Sequence, residues 1–169
     1  MKENMFFAEK IMSIVKREKV CREKIDEVDD FPGKEDFIRF YMVHNGVDFT
    51  MGAWFFPETC FNISMIDTPI TLGSFLRIRV EDKNMQGNIR GLDMDNMNDL
   101  IVEKYSAFED FVLFHIPFAL DVVQNPFWID TQTGEIKYID FRVSCSPDDV
   151  ITVASSFKIF CKCIRNRNI

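Results

Sequence analysis

The sequence predicts a single α+β domain that spans residues 1–169. Its length of 169 residues suits one domain of ordinary size, and its 47% hydrophobic content can supply a packed core. Helical periodicity occurs towards both ends of the chain, whereas short strand patterns bounded by Gly, Pro and polar residues occupy the interior. We find no internal repeat, low-complexity stretch or linker that would divide the chain.

Two helices are predicted before residue 47. An apolar stripe at helical spacing predicts an amphipathic helix over residues 4–18. The stripe consists of Met5, Ala8, Met12 and Val15. A second stripe predicts a helix over residues 34–44, and it consists of Phe37, Phe40, Tyr41 and His44. Asn45-Gly46 should end this helix, because Gly readily takes the left-handed conformation that follows a helix.

Strand patterns begin after this glycine. The predicted strands cover residues 47–50, 53–56, 62–66, 71–80 and 112–117. A hairpin is predicted between strands over residues 125–130 and 135–141. Its turn is Thr131-Gln132-Thr133-Gly134, in which Gly supplies the positive φ that such a turn requires.

Two further helices carry capping signals. Asp93 is predicted to cap a helix that ends near Lys104. Ser146 followed by Pro147 predicts the start of a C-terminal helix over residues 147–163. The buried stripe of that helix should contain Val150, Val153, Ala154, Phe157, Cys161 and Ile164. The side-chain direction rotates by about 100° about the helix axis from one residue to the next. We therefore expect Cys161 and Cys163 to point to nearly opposite sides of the helix and to hold no metal.

The charge distribution favours a basic protein partner. The net charge is −7, and residues 92–130 contain eight acids against one base, Lys104. Phosphates would be repelled by such a surface, which argues against direct binding to nucleic acid. A positively charged protein would be attracted to it.

The cysteines and the N-terminus indicate a cytoplasmic protein. The five cysteines are odd in number, and their spacing shows no disulfide framework. Charged residues interrupt the N-terminal segment every few positions, so it has no apolar run of the length needed for a signal peptide or a membrane span. We therefore expect free thiols in a reducing compartment.

Four motifs follow one another in a characteristic order. The first is Phe31-Pro32, followed by residues 37–41 and Asn45-Gly46. The second is Ala53-Trp54-Phe55-Phe56-Pro57. The third is the segment 116–136, which contains Ile116-Pro117, Asp121, Asn125-Pro126 and Thr133-Gly134, and the fourth is residues 153–160. Together they cover about residues 31–164 and resemble the SMI1/KNR4 family, also called the SUKH superfamily. The chain departs from that pattern at Val122-Val123-Gln124, where family members often have Gly.

The resemblance implies a strongly curved, mainly antiparallel sheet flanked by helices. For most bacterial members it also implies an immunity role, in which the protein binds and neutralises a polymorphic toxin, often a nuclease. Fungal members instead regulate cell-wall synthesis through protein contacts, so an interaction module in a regulatory complex is the alternative. Either role implies a protein that is not an enzyme and that needs no cofactor.

We expect five residues in these motifs to contact the partner: Trp54, Asp121, Gln124, Trp128 and Asp130. Successive residues of a strand face opposite sides of a sheet. If Phe127 and Ile129 face the core, Trp128 is exposed and can anchor a partner. The alternative is a sheet that is covered on both faces.

An enzymatic alternative is a hydrolase that uses His115. Asp121 and Asp130 could lie near this histidine, and a His beside a carboxylate is an ingredient of acid–base catalysis. The sequence contains no Gly-x-Ser-x-Gly elbow, Walker loop or dinucleotide fingerprint. A pocket that holds His115, two acids and a nucleophile would favour this reading.

Overall fold

The protein is described by a computed structural model that covers residues 6–11, 14–16, 19–61, 68–80 and 93–167. Within these ranges the α-helices are α1 (Arg22–Asp26), α2 (Lys34–Val43), α3 (Met94–Lys104), α4 (Glu109–Val112) and α5 (Phe157–Lys162). The strands are β1 (Ile14–Lys16), β2 (Val47–Phe55), β3 (Ile70–Phe75), β4 (His115–Asp121), β5 (Pro126–Asp130), β6 (Ile136–Tyr138), β7 (Ile151–Ala154) and β8 (Ile164–Asn166). Short 3-10 turns cover Ser106–Phe108 and Pro147–Asp149.

All eight strands belong to one antiparallel sheet, in the order β1 to β7, with β8 paired to β2. β1 and β8 share one edge of β2, because β1 pairs with its first half and β8 with its second half. The sheet curves, since the Glu58 amide that follows β2 donates to the Val153 carbonyl of β7 at 3.0 Å. The predicted α+β class with a mainly antiparallel sheet is confirmed.

One side of the sheet, the α2–α5 face, is packed by these two helices with aromatic rings. Phe160 of α5 contacts a phenylalanine ring from each of four consecutive strands: Phe55, Phe75, Phe118 and Phe127, with centroids 4.4, 5.9, 5.0 and 5.1 Å away. Phe157 of the same helix also contacts Phe37 and Phe40 of α2. This layer therefore joins both helices to the centre of the sheet.

The opposite side, the α3–α4 face, is covered by α3, the 3-10 turn at 106–108 and α4. Here Trp128 of β5 lies between Phe108 and Phe111, with ring centroids 6.0 and 5.0 Å away. Asn98 of α3 accepts a hydrogen bond from the Trp128 indole N–H at 3.0 Å. The same amide donates to the His115 carbonyl at 2.8 Å, so that α3 is hydrogen-bonded to two strands.

Several local predictions are confirmed. α2 spans Lys34–Val43, and Gly46 follows it with a φ of 80°. Asp93 caps α3 by accepting from the amide of Asn96. The hairpin turn between β5 and β6 contains Gly134 with a φ of 75°. Each of these depends on short-range signals, since a cap or a turn residue acts within a few positions of itself.

The predicted helix over residues 4–18 is wrong where the structure describes this segment. Residues 14–16 form β1, which pairs with β2 in the register Ile14 to Phe49. Residues 6–11 are bends and irregular backbone, although Phe7 and Ile11 are buried. The segment thus contributes buried apolar residues. Residues 14–16 form a strand rather than a helix because they satisfy backbone hydrogen-bonding groups on the edge of β2.

The predicted helix over residues 147–163 is wrong in its first half. Ser146 caps only the short 3-10 turn, and residues 151–154 form β7 beside β6. The helix starts ten residues later than predicted, where Ser156 accepts from the amide of Ile159. The run Val150-Ile151-Thr152-Val153 is β-branched throughout, which favours a strand. Burial of Val153, Ala154, Phe157, Cys161 and Ile164 is nevertheless confirmed, whereas Val150 is half-buried.

The strand boundaries also differ from the predictions. Residues 47–50 and 53–56 belong mainly to one strand, β2, which continues past Gly52 with its φ of 69°. The strand predicted over 71–80 ends at Phe75, and the one predicted over 112–117 starts at His115, because α4 occupies residues 109–112. The prediction over 62–66 lies outside the described residues. α1 was not predicted.

Candidate protein-binding surface

The expected exposure of Trp128 is wrong. Its side chain shares a face with Asp130, as strand alternation requires, but that face is covered by α3 and α4 and Trp128 is fully buried. Phe127 and Ile129 on the other face are also fully buried. The sheet is therefore covered on both faces at β5, which was the alternative reading, and Trp128 presents no side chain to a partner.

Asp121 is also buried, and its carboxylate holds the turn between β4 and β5. One oxygen accepts from the amides of Val123 and Asn125 at 2.9 and 2.8 Å. The other accepts from the Asn125 side-chain amide and the Tyr138 hydroxyl, each at 2.9 Å. Four donors satisfy this buried charge, so the sequence motif around Asp121 serves the structure of the hairpin rather than an exposed contact.

Of the remaining predicted residues, Gln124 and Asp130 lie too far apart to share one surface. Gln124 is exposed in the β4–β5 turn, and its φ of 74° places it in the left-handed region. Trp54 is half-buried in β2, with its ring 6.3 Å from that of Phe56. Asp130 lies at the opposite end of the hairpin, roughly 20 Å from this turn given the strand rise of about 3.3 Å per residue.

His115 is held in place by α4 rather than arranged for acid–base chemistry. Its Nδ1 lies 2.6 Å from the Phe111 carbonyl, to which it donates, and its ring stacks on the Phe111 ring at 3.7 Å. Its Nε2 is 3.9 Å from an Asp130 oxygen, which is too far for a hydrogen bond. Burial lowers the pKa of this imidazole, which favours the neutral form.

The hydrolase alternative needed two carboxylates beside His115. His115 and Asp121 occupy opposite ends of the seven-residue strand β4, so they are about 20 Å apart. Asp130 is near but already accepts from the amides of Gln132 and Thr133 at 2.8 and 3.2 Å. His115 therefore holds the C-terminal end of α4 in place through Phe111, and the arrangement does not favour catalysis.

Cys161 and Cys163 differ in burial but not in the direction of their pKa shifts. Cys161 is buried in α5, and Cys163 is half-buried where that helix ends. Burial raises the pKa of both thiols, so neither is readily ionised. Across the part of the chain that the structure describes, no cluster of His, Cys, Asp and Glu is arranged to hold a metal ion.

A different group of exposed residues lies on α3, on α4 and directly after α4, and supplies the candidate surface. Asp95, Asp99 and Glu103 are exposed at four-residue intervals, so they share one stripe of α3 about 12 Å long. Glu109 and Asp110 add two exposed carboxylates at the start of α4. We call these five acids, together with Leu113 and Phe114, the acidic α3–α4 surface.

Leu113 and Phe114 supply its apolar part. These residues are 66% and 52% exposed, and Leu113 has the largest exposed fraction among the large apolar residues that the structure describes. The Phe114 carbonyl accepts from both the amide and the hydroxyl of Thr131, at 2.9 and 3.0 Å. The backbone at this exposed pair is therefore fixed to the β5–β6 turn.

Asp95 lies in a mixed electrostatic environment. Partial desolvation and the neighbouring Asp93 carboxylate raise the pKa of Asp95, whereas the positive charges of Lys24 and Arg79 oppose the rise. Lys104 is the one base between residues 93 and 114, and its ammonium group lies 5.1 Å from the centre of the Tyr105 ring. An approaching cation would relieve the repulsion between Asp95 and Asp93.

Sequence reasoning identified the acidic region but missed Leu113 and Phe114. It placed them in a strand over residues 112–117, because this short segment is largely apolar. The sequence offered no signal that separates an exposed Leu–Phe pair from a buried one. Their exposure follows from α4, which ends at Val112 and directs the chain outwards before β4 begins.

Comparisons with known proteins do not identify a family for this chain. The sequence matches no protein-family model, and no curated protein or solved structure resembles it significantly. Among the described residues, no helix combines the length and apolar character that crossing a membrane requires.

Proposed function

We propose that this protein is a cytoplasmic immunity protein that neutralises a basic toxin by binding it through the acidic α3–α4 surface. The observation that carries the proposal is the combination of five exposed carboxylates with the rigidly held pair Leu113 and Phe114. Exposed apolar residues supply contact area, and the surrounding charge selects a positively charged partner.

The charge arrangement suits rapid capture of a toxin. Long-range attraction between a negative surface and a basic partner raises the association rate, and salt reduces it because the Debye length is about 8 Å at physiological ionic strength. The apolar pair would act after encounter, since truncation of a buried anchor mainly speeds dissociation. The two components of the surface therefore have separable kinetic signatures.

The family resemblance supports the immunity role. The structure has the antiparallel α+β sheet that the resemblance implies, with its hairpin motif at β4, β5 and β6. Gln124, in the stretch where family members often have Gly, adopts the left-handed backbone conformation that Gly favours. Although the residue type differs from the family pattern, the backbone of this turn has the conformation that a Gly would adopt.

The test starts with a search of the neighbouring genes for a basic candidate toxin domain. Co-expression with the toxin should restore growth, and the purified proteins should form a complex whose association rate falls as salt is added. Asp110→Lys should slow association by about tenfold at low salt, a change expected when a charge is reversed within an interface. Asp29→Lys, an equal charge change at an exposed acid outside this surface, is the matched control.

A second pair of variants tests the apolar anchor. Phe114→Ala should raise the dissociation rate by about thirtyfold, which corresponds to about 2 kcal/mol. Val143→Ala, at a residue that is 60% exposed elsewhere, should leave both rates unchanged. If the toxin binds equally well to all four variants, the surface is wrong. If no basic toxin is bound or neutralised, the function is wrong.

A further inference from the structure

A cavity of about 120 Å³ lies between Phe6 and the helices α2 and α5, away from the acidic α3–α4 surface. Its apolar wall is formed by Phe6, Phe157 and Cys161. A cavity of roughly this size holds a molecule such as benzene when its walls are apolar. The space is thus suited to a single ring or a short acyl chain.

The rim of this cavity is cationic, although the protein as a whole is acidic. Arg39 of α2 and Lys158 and Lys162 of α5 face one carboxylate, Asp36. Among the residues that the structure describes, Arg39 and Lys158 form no ion pair, whereas the Lys162 ammonium donates to the Phe7 carbonyl at 3.3 Å. Three cations and one anion leave a net positive rim above an apolar floor.

We propose that this cavity binds a small amphiphilic carboxylate, with its ring or acyl chain against Phe6 and its carboxylate at Arg39. The planar guanidinium offers two parallel N–H donors that match a carboxylate. The Cys161 thiol at the floor is buried. Because burial also raises its pKa, it stays neutral and does not repel the anion. This site is independent of the proposed toxin-binding function, since it uses the other face of the sheet.

The experiment is a chemical-shift titration of the whole chain with benzoate, hexanoate, phenyl phosphate and benzyl alcohol. We expect benzoate and hexanoate to bind with a Kd on the order of 1 mM, a reasonable value for ligands this small. The saturable shifts should lie at the amides of residues 36–39 and 157–162. Benzyl alcohol, which has the same ring without the charge, should bind at least fivefold more weakly.

Arg39→Gln should weaken benzoate binding by about tenfold, because one charge-assisted pair is lost, and should leave benzyl alcohol unchanged. Arg22→Gln, the same change at an exposed arginine of α1, should alter neither. Equal affinities for benzoate and benzyl alcohol, or an unaffected Arg39→Gln, would overturn the anion assignment. Tighter binding of phenyl phosphate than benzoate would overturn the carboxylate, and an absence of saturable shifts at these amides would overturn the site.

Discussion

The two faces of the sheet are packed by different means. On the α2–α5 face, phenylalanine rings of both helices meet rings from β2, β3, β4 and β5, and a buried hydrogen bond joins the Tyr41 hydroxyl of α2 to the Leu76 carbonyl at 2.7 Å. On the α3–α4 face, Asn98 joins α3 to Trp128 and to the backbone of His115 through hydrogen bonds. Burial of these rings is driven by the non-directional hydrophobic effect and contributes mostly stability, whereas hydrogen bonds to Asn98 fix the position of α3.

This difference has a functional consequence. The acids of α3 and the exposed pair after α4 are on the outer side of the face that is fixed by hydrogen bonds. A binding surface benefits from pre-organisation, because less conformational freedom is lost on association. The α2–α5 face should therefore dominate the stability of the domain, and the α3–α4 face should govern its recognition of a partner.

The largest effect is expected from Phe157→Ala. The side chain is 2% exposed and contacts rings of α2, β3 and β4. Its removal leaves a cavity in the core and should lower the free energy of unfolding by roughly 3–5 kcal/mol. Urea denaturation gives the value, and Lys158→Ala, at the exposed neighbour, should stay within about 0.5 kcal/mol of the parent. A loss below about 1 kcal/mol for Phe157→Ala would show that this face does not dominate stability.

An intermediate effect is expected from Trp128→Phe. The variant keeps an aromatic ring between Phe108 and Phe111 but loses the hydrogen bond to Asn98. We expect a loss of about 1–2 kcal/mol, because the partly buried Asn98 acceptor is left without its donor. A double-mutant cycle with Asn98→Ala should give a coupling energy of about 1 kcal/mol. Additive effects of the two substitutions would contradict a role for this bond in fixing α3.

The smallest effect is the pH dependence that His115 contributes. Its pKa in the folded state is lowered by burial, so the unfolded chain binds the proton more readily. The stabilisation is present above the ordinary histidine pKa of about 6.5 and is lost as the pH falls through that value towards the folded pKa. The nearby Asp130 carboxylate opposes the shift and limits its size.

His115→Gln isolates this contribution, because the glutamine amide can still donate to the Phe111 carbonyl but does not titrate. Urea unfolding at about pH 7.5 and pH 5 should show a smaller loss of stability on acidification in the variant than in the parent. His44, the second histidine, is unchanged in both proteins and so cancels from the comparison. Equal losses in the two proteins would mean that His115 titrates alike in the folded and unfolded chain.

Particular residues show where sequence reasoning succeeded. Asp93, Gly46 and Gly134 were assigned correctly because their roles depend on backbone geometry within a few positions. Ser146 was recognised as a cap, but the length of the helix after it was wrong, since a cap does not determine how far a helix extends. Whether residues 151–154 continue as helix or strand depends on β6, which pairs with them.

The features of the candidate site can likewise be separated into those that the sequence determines and those that the tertiary structure decides. The sequence by itself determined the α+β composition, the caps and turns, the acidic middle of the chain and the burial of Phe157. Tertiary structure decided that Trp128 is covered, that Asp121 holds a turn, and that Leu113 and Phe114 are exposed. The physical reason is that alternation within a strand fixes which residues share a face, whereas the helices packed from distant segments decide whether that face meets solvent.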